Sequence, residues 1–178
     1  MNVLLLLSVF GVGFVLGETE EVPDKCMKLF HPRAAFCCKQ RVIPPPDSFA
    51  DIKECLNMTG PKGNHLHDKR HFGPLSCDVE SCIAEKRGIL ADDGTIDEEA
   101  LKKTFEKELT EYPDFLKKVT DNCVQIDKLD RFGKKDMCEL KKLSHCIFYQ
   151  IVGSCPEWFE NHGCERMKML ADECNLDQ

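Results

Sequence analysis

Between residues 75 and 156 the apolar positions recur at helical spacing. Leu75, Val79, Cys82 and Ile83 form an i, i+4, i+7, i+8 stripe, which predicts a helix starting near Pro74 and ending at Gly88. Asp92, Asp93 and Gly94 read as a turn, and Asp97 as the cap of a helix with Leu101, Phe105, Leu109 and Tyr112 on one face. Pro113 opens a further helix whose inward residues run through Phe115, Leu116, Val119, Cys123, Ile126 and Leu129. After Gly133 the spacing of Met137, Leu140, Leu143, Ile147 and Ile151 predicts another. A last one, with Pro156 in its first turn, carries Phe159, Gly163, Met167 and Leu170 to Cys174. No stretch alternates with period two for long enough to make a strand. The pattern predicts one all-α domain of about seven helices.

Upstream the pattern is more broken. A short helical candidate lies near residues 25–30. Pro44, Pro45 and Pro46 predict a stiff extended spacer without backbone donors. Asp47 or Ser48 is placed to cap a helix running to about Leu56, with Phe49, Ile52 and Cys55 on one side. Asn57, Met58 and Thr59 form an N-glycosylation sequon followed by Gly60, Pro61 and Gly63; if used, it fixes this stretch as a surface loop. Residues 3–16 are almost wholly apolar, and Val15 and Gly17 suit the −3 and −1 positions of a signal peptidase site. Residues 1–17 therefore read as a signal peptide, too short for a membrane span. Residues 18–178 are the expected mature, secreted, soluble chain.

All twelve cysteines fall in that mature part. An even, dense set in a secreted chain predicts a disulfide framework of six bridges. Neighbouring Cys37 and Cys38 should bond to different partners, because a bridge between them would strain the peptide that joins them. A chain this long buries a core unaided, so the bridges imply either persistence or an interior partly given to something else. The net charge of −7 argues against nucleic acid and anionic membrane as partners.

No catalytic arrangement is legible in the sequence. A phospholipase A2 needs a His-Asp pair shortly after adjacent cysteines, whereas Lys39, Gln40, Arg41 and Val42 follow Cys37 and Cys38. Reading Asp92, Asp93, Gly94 and Asp97 as a calcium loop puts Ile89 where the first carboxylate must be. His65, His67 and His71 lie in a Gly/Pro-rich stretch without a carboxylate-rich surround. No serine elbow and no HExxH helix occurs. No enzyme activity, cofactor or metal is expected.

Residues 83–94, with the sequence Ile-Ala-Glu-Lys-Arg-Gly-Ile-Leu-Ala-Asp-Asp-Gly, resemble the helix end and turn of insect odorant-binding proteins. The cysteine ladder agrees: Cys55, Cys77, Cys82, Cys123, Cys146 and Cys155 match that family's six, with forty residues before the fourth and eight between the last two. The extra Cys138, Cys164 and Cys174, Pro156 directly after Cys155, and the trio Cys26, Cys37 and Cys38 resemble the Plus-C subgroup. One departure stands out. Four residues rather than the usual three separate Cys77 from Cys82, placing them about 140° apart on a regular helix.

The resemblance implies the fold of insect pheromone/odorant-binding proteins. A six-cysteine core over residues 47–156 would carry an N-terminal extension over 18–46 and a C-terminal one over 157–178. It implies the pairing Cys55–Cys82, Cys77–Cys146 and Cys123–Cys155, with Cys26, Cys37, Cys38, Cys138, Cys164 and Cys174 paired among themselves. It also implies a secreted carrier of small apolar ligands such as odorants or other semiochemicals. The ligand would lie between helices or at a chain–chain interface of a homodimer, for delivery to a chemosensory receptor. Phe72, Leu101, Phe105, Phe115, Leu116, Val119, Leu140, Phe148 and Trp158 are the residues available to line such a pocket, with Tyr112 or Tyr149 orienting the ligand. The alternative for the same residues is ordinary core, in a secreted structural or defence scaffold. A cavity of roughly 300–1,000 Å³ separates the two readings.

Overall fold

A computed structural model of the chain describes residues 22–30, 32–39, 46–59 and 75–174. The expected signal peptide over residues 1–17, Pro44, Pro45, the three histidines His65, His67 and His71, and the pocket candidate Phe72 lie outside these residues. Seven α-helices and two 3-10 helices make up the described part, with no strand among them. In chain order they are a 3-10 helix (Asp24–Phe30), α1 (Pro32–Ala35), α2 (Pro46–Thr59), α3 (Cys77–Lys86), α4 (Glu98–Glu108), α5 (Pro113–Cys123), a second 3-10 helix (Ile126–Phe132), α6 (Glu139–Gly153) and α7 (His162–Glu173). None of the described helices is long and apolar enough to cross a membrane.

Local chemistry explains several of the boundaries. Asp97 accepts a hydrogen bond from the Ala100 amide at 3.0 Å, capping α4, and Ser76 accepts from Val79 at 3.4 Å at the start of α3. Gly88 ends α3 at φ 64°, a left-handed conformation that costs glycine little. Gly94, at φ 84°, closes the turn that Asp93 tightens by accepting from the Thr95 amide at 3.0 Å.

Four expectations need correction. Pro46 is not part of a spacer but the first residue of α2, where a missing N–H costs nothing. The sequon is not a loop but the last turn of that helix. The helix begun at Pro113 stops at Cys123, and Ile126, Leu129 and Phe132 continue as a 3-10 helix, whose three-residue period stacks them on one side. Pro156 stands in an irregular link, and α7 begins later, where Asn161 accepts hydrogen bonds from the amides of Gly163 and Cys164 at 3.1 and 3.0 Å.

Helix α6 is the axis. It packs against α1, α3, α5 and both 3-10 helices. The main core gathers Phe30, Leu101, Phe105, Phe115, Val119, Leu129, Phe132 and Leu143 around it. A second cluster, of Cys26, Leu29, Ala34, Val152 and Ala171, lies where the N-terminal segment meets α7. A third, of Cys55, Val79 and Ile83, joins α2 to α3.

All twelve cysteines are paired. The bridge Cys55–Cys82 is present. The implied Cys77–Cys146 and Cys123–Cys155 are not; Cys77 meets Cys138, and Cys123 meets Cys146. Cys138 caps α6 and Cys146 sits two turns in, about 12 Å further along the axis. Which of them Cys77 reaches depends on where α3 lies along α6, which cysteine spacing does not encode. Cys155, freed from Cys123, takes Cys38. The extra six are therefore not paired among themselves. Only Cys26–Cys174 and Cys37–Cys164 are such pairs. Cys37 and Cys38 do bond to different partners.

Burial also sets a pH response. His145 on α6 is buried, stacks on Phe30 at 5.0 Å, and lies with Nδ1 2.9 Å from the Phe132 carbonyl. Because that carbonyl can only accept, Nδ1 carries the proton. Desolvation holds the imidazole below its usual pKa, although the Phe132 hydrogen bond opposes the shift. The unfolded chain therefore binds the proton first, and stability should fall as pH drops through the ordinary imidazole value of about 6.5. Glu80, held above its usual pKa by burial, works in the opposite sense, because the folded state then binds its proton first. Melting curves at about pH 7 and pH 5 should show a smaller acid loss in His145→Gln than in the wild type. Equal losses would assign the acid response elsewhere.

Candidate binding cleft

The end of α6, the link that follows it and α7 enclose a concavity among the described residues. It is a half-open cleft of about 210 Å³ lined by Val152, Gly153, Cys155, Pro156, Trp158, Lys168, Ala171 and Asp172. A smaller concavity, between Val22, Met27 and Arg131, has about 10 Å³, room for little more than a water.

The cleft exists because α6 ends at Gly153 and the chain must cross to α7 over the link that holds Cys155, Pro156 and Trp158. Val152 and Ala171, both almost fully buried, belong to the apolar cluster beneath. The single tryptophan of the chain packs on that cluster and supplies an aromatic wall. Lys168 and Asp172, one turn apart on α7, pair at 2.8 Å, and both side chains are about half exposed. The exposed lining of the cleft is mostly polar, with the Trp158 ring as its aromatic part and one charge of each sign at its edge.

Its frame is fixed covalently and by backbone pairing. Cys38 and Trp158 form an antiparallel bridge, with Lys39 donating to the Glu157 carbonyl at 2.8 Å and Phe159 donating to Cys37 at 2.9 Å. Lys39 Nζ reaches Glu157 at 2.6 Å, and this contact holds the ammonium above its usual pKa. The bridges Cys38–Cys155, Cys37–Cys164 and Cys26–Cys174 tie the same elements together.

The residues proposed from sequence do not meet at one site. Leu101, Phe105, Phe115 and Val119 are buried within the main core, and Leu116 and Leu140 pack against it. Phe148 is half-buried on α6. Only Trp158 borders the cleft. Tyr112 packs on the main core, and Tyr149 is wedged against Phe30 and Phe132 at 5.8 and 5.5 Å, with burial raising its pKa. Neither lines the cleft. Sequence reasoning missed Val152, Lys168, Ala171 and Asp172. Lys168 and Asp172 carry an i, i+4 signal, but only the placement of α7 beside the end of α6 and the link after it makes that face part of a cleft.

No family model, curated protein or solved structure matches the chain.

Proposed function

We propose that the protein is an extracellular carrier that reversibly holds one small, mostly apolar molecule in the Trp158 cleft without altering it. The observation that carries this reading is the combination of the Trp158 aromatic wall, a mostly polar lining with a paired charge at its edge, and three disulfides around them. A cleft stapled in the free protein loses little conformational freedom on binding, so its contacts count towards affinity. Twelve cysteines in six bridges on a helical domain are also consistent with a scaffold like that of insect odorant-binding proteins. The bridges Cys77–Cys138 and Cys123–Cys146 depart from the pattern that resemblance implies. Volatile or semiochemical-like ligands bearing one hydroxyl, ester or amine group fit the cleft's chemistry.

At about 210 Å³ the cleft lies below the range for a drug-sized ligand, so short molecules, or one end of a longer one, are its natural occupants. Dissociation constants of about 10–100 µM, roughly −5.5 to −7 kcal/mol, are expected. Trp158 is an intrinsic reporter. Titration with alcohols, esters and aromatics of graded length should change its fluorescence, with calorimetry giving the affinity of the wild type and of Trp158→Ala. The variant should bind at least about tenfold more weakly.

A second reading has its own support. The aromatic and aliphatic stripes pack into buried core, and Leu101, Phe105, Phe115 and Val119 are among its members. That favours a disulfide-stapled scaffold that acts through its surface. Absence of any binding below about a millimolar across the panel would sink the carrier and leave the scaffold.

A further inference from the structure

We propose that Asn57 carries an N-linked glycan, attached before α2 docks on α3, and that its first sugars cover Leu56 and Met58. The proposal rests on export of the chain through an oxidising secretory compartment.

The sequence supplies the acceptor Asn-Met-Thr, and the fold supplies the position. Asn57 lies exposed in the last turn of α2. Two residues earlier, Cys55 is completely buried, bonded to Cys82 and packed on Val79 and Ile83. Positions two apart on a helix differ by about 200°. The bridge therefore fixes the inner face of α2 and turns Asn57 outward. Leu56 and Met58 flank it, about 100° to either side, and are 37% and 69% exposed. They are two of the large apolar side chains that the described fold leaves in water. A glycan stem rising between them brings the apolar faces of its sugars over both, which explains why these residues are tolerated there.

Timing follows from the same geometry. In an extended chain, residues 57 and 59 lie on one side, where one active site can read the asparagine and the threonine together. In α2 the two positions lie about 200° apart around the helix axis. Transfer must therefore precede formation of this turn and closure of Cys55–Cys82. The donor is a lipid-pyrophosphate-linked oligosaccharide. Asn57 Nδ2 forms a bond to C1 of the first sugar as the C1–O bond to pyrophosphate breaks. The lipid pyrophosphate leaves, the amide gives up one proton, and nothing is oxidised or reduced.

The test is expression of the full chain in a secretory host, with mass analysis of protein from the medium before and after peptide-N-glycosidase treatment. The wild type should fall to the bare polypeptide mass on treatment, while Asn57→Gln and Thr59→Ala should start there. The double variant Cys55→Ser/Cys82→Ser, which leaves the sequon free for longer, should be occupied at least as fully as the wild type. Native size-exclusion chromatography should show more self-association for Asn57→Gln than for the glycosylated wild type. Unmodified wild-type protein in the medium overturns the site while leaving export intact. Retention of unprocessed chain in the cytosol overturns the export reading itself, and the proposal with it. Lower occupancy in the double variant overturns the order of events, and identical association behaviour overturns the covering role.

Discussion

Loss of Cys26–Cys174 alone is expected to cost about 3 kcal/mol, whereas loss of all three terminal bridges should unfold the chain. The separation of 148 residues would suggest a larger single effect, about 5 kcal/mol in the chain-entropy account. That figure treats the bridge as the only closure of its loop. Cys37–Cys164 already joins the two ends, so Cys26–Cys174 closes only the eleven positions from 26 to 37 and the ten from 164 to 174. A ring of that size is worth about 3 kcal/mol. Cys38–Cys155 is nested in the same way one step further in. Once all three are gone, the long loop opens and the losses together reach the order of 10 kcal/mol, comparable with the whole stability of a domain. Urea titration of Cys26→Ala/Cys174→Ala, and of the variant lacking all three pairs, measures both numbers. A single-bridge cost near 5 kcal/mol would mean that the bridges act independently and the nesting argument is wrong. Before reduction, thiol titration of the denatured protein should return none. Protease should digest the variant lacking all three pairs throughout, and should not strip residues 18–40 from the native wild type.

Phe30→Ala should be the most damaging single core substitution in the N-terminal segment, at about 3–5 kcal/mol. Phe30 is 2% exposed and belongs to the main core although its own helix lies in the N-terminal extension. Its ring meets Phe132 at 6.1 Å and Tyr149 at 5.8 Å edge-on, and stacks on His145 at 5.0 Å. Truncation leaves a void between three rings that α6 and the second 3-10 helix hold apart, so the site cannot collapse to fill it. Each aromatic pair adds about 0.5–1.5 kcal/mol beyond its buried area. Phe30→Leu, which keeps most of the volume, should cost less than half as much. Denaturant midpoints for the two variants decide it. A loss below about 1 kcal/mol for alanine would mean that the extension is an appendage and not part of the core.

Of the three bridges that the resemblance to insect odorant-binding proteins implied, only Cys55–Cys82 is present. Cys55–Cys82 needs only that α2 lie beside α3, and a buried stripe on each helix favours that. Cys77 and Cys123 had to choose between Cys138, Cys146 and Cys155, which all lie along or just beyond α6. Their choice is a matter of helix placement along α6, where Cys138 and Cys146 lie about 12 Å apart. Residues 126–132 show another limit. Ile126 and Leu129 extend a helical stripe, and only the addition of Phe132 at the next three-residue step distinguishes a 3-10 helix from α-helix.

What the sequence determined by itself is therefore local and compositional. Period-3.6 apolar stripes, Asp97 and Pro113 at helix starts, Gly88 and Gly94 at turns, and an even set of cysteines specify stapled helices because each acts within a few residues of itself. Tertiary structure alone decided which cysteines meet, that the predicted pocket residues Leu101, Phe105, Phe115 and Val119 fill the core, and that a cleft opens beside Trp158. Those outcomes depend on how helices slide and cross. Interhelical placement is set by the sum of many weak apolar contacts, with no single residue spacing to carry it.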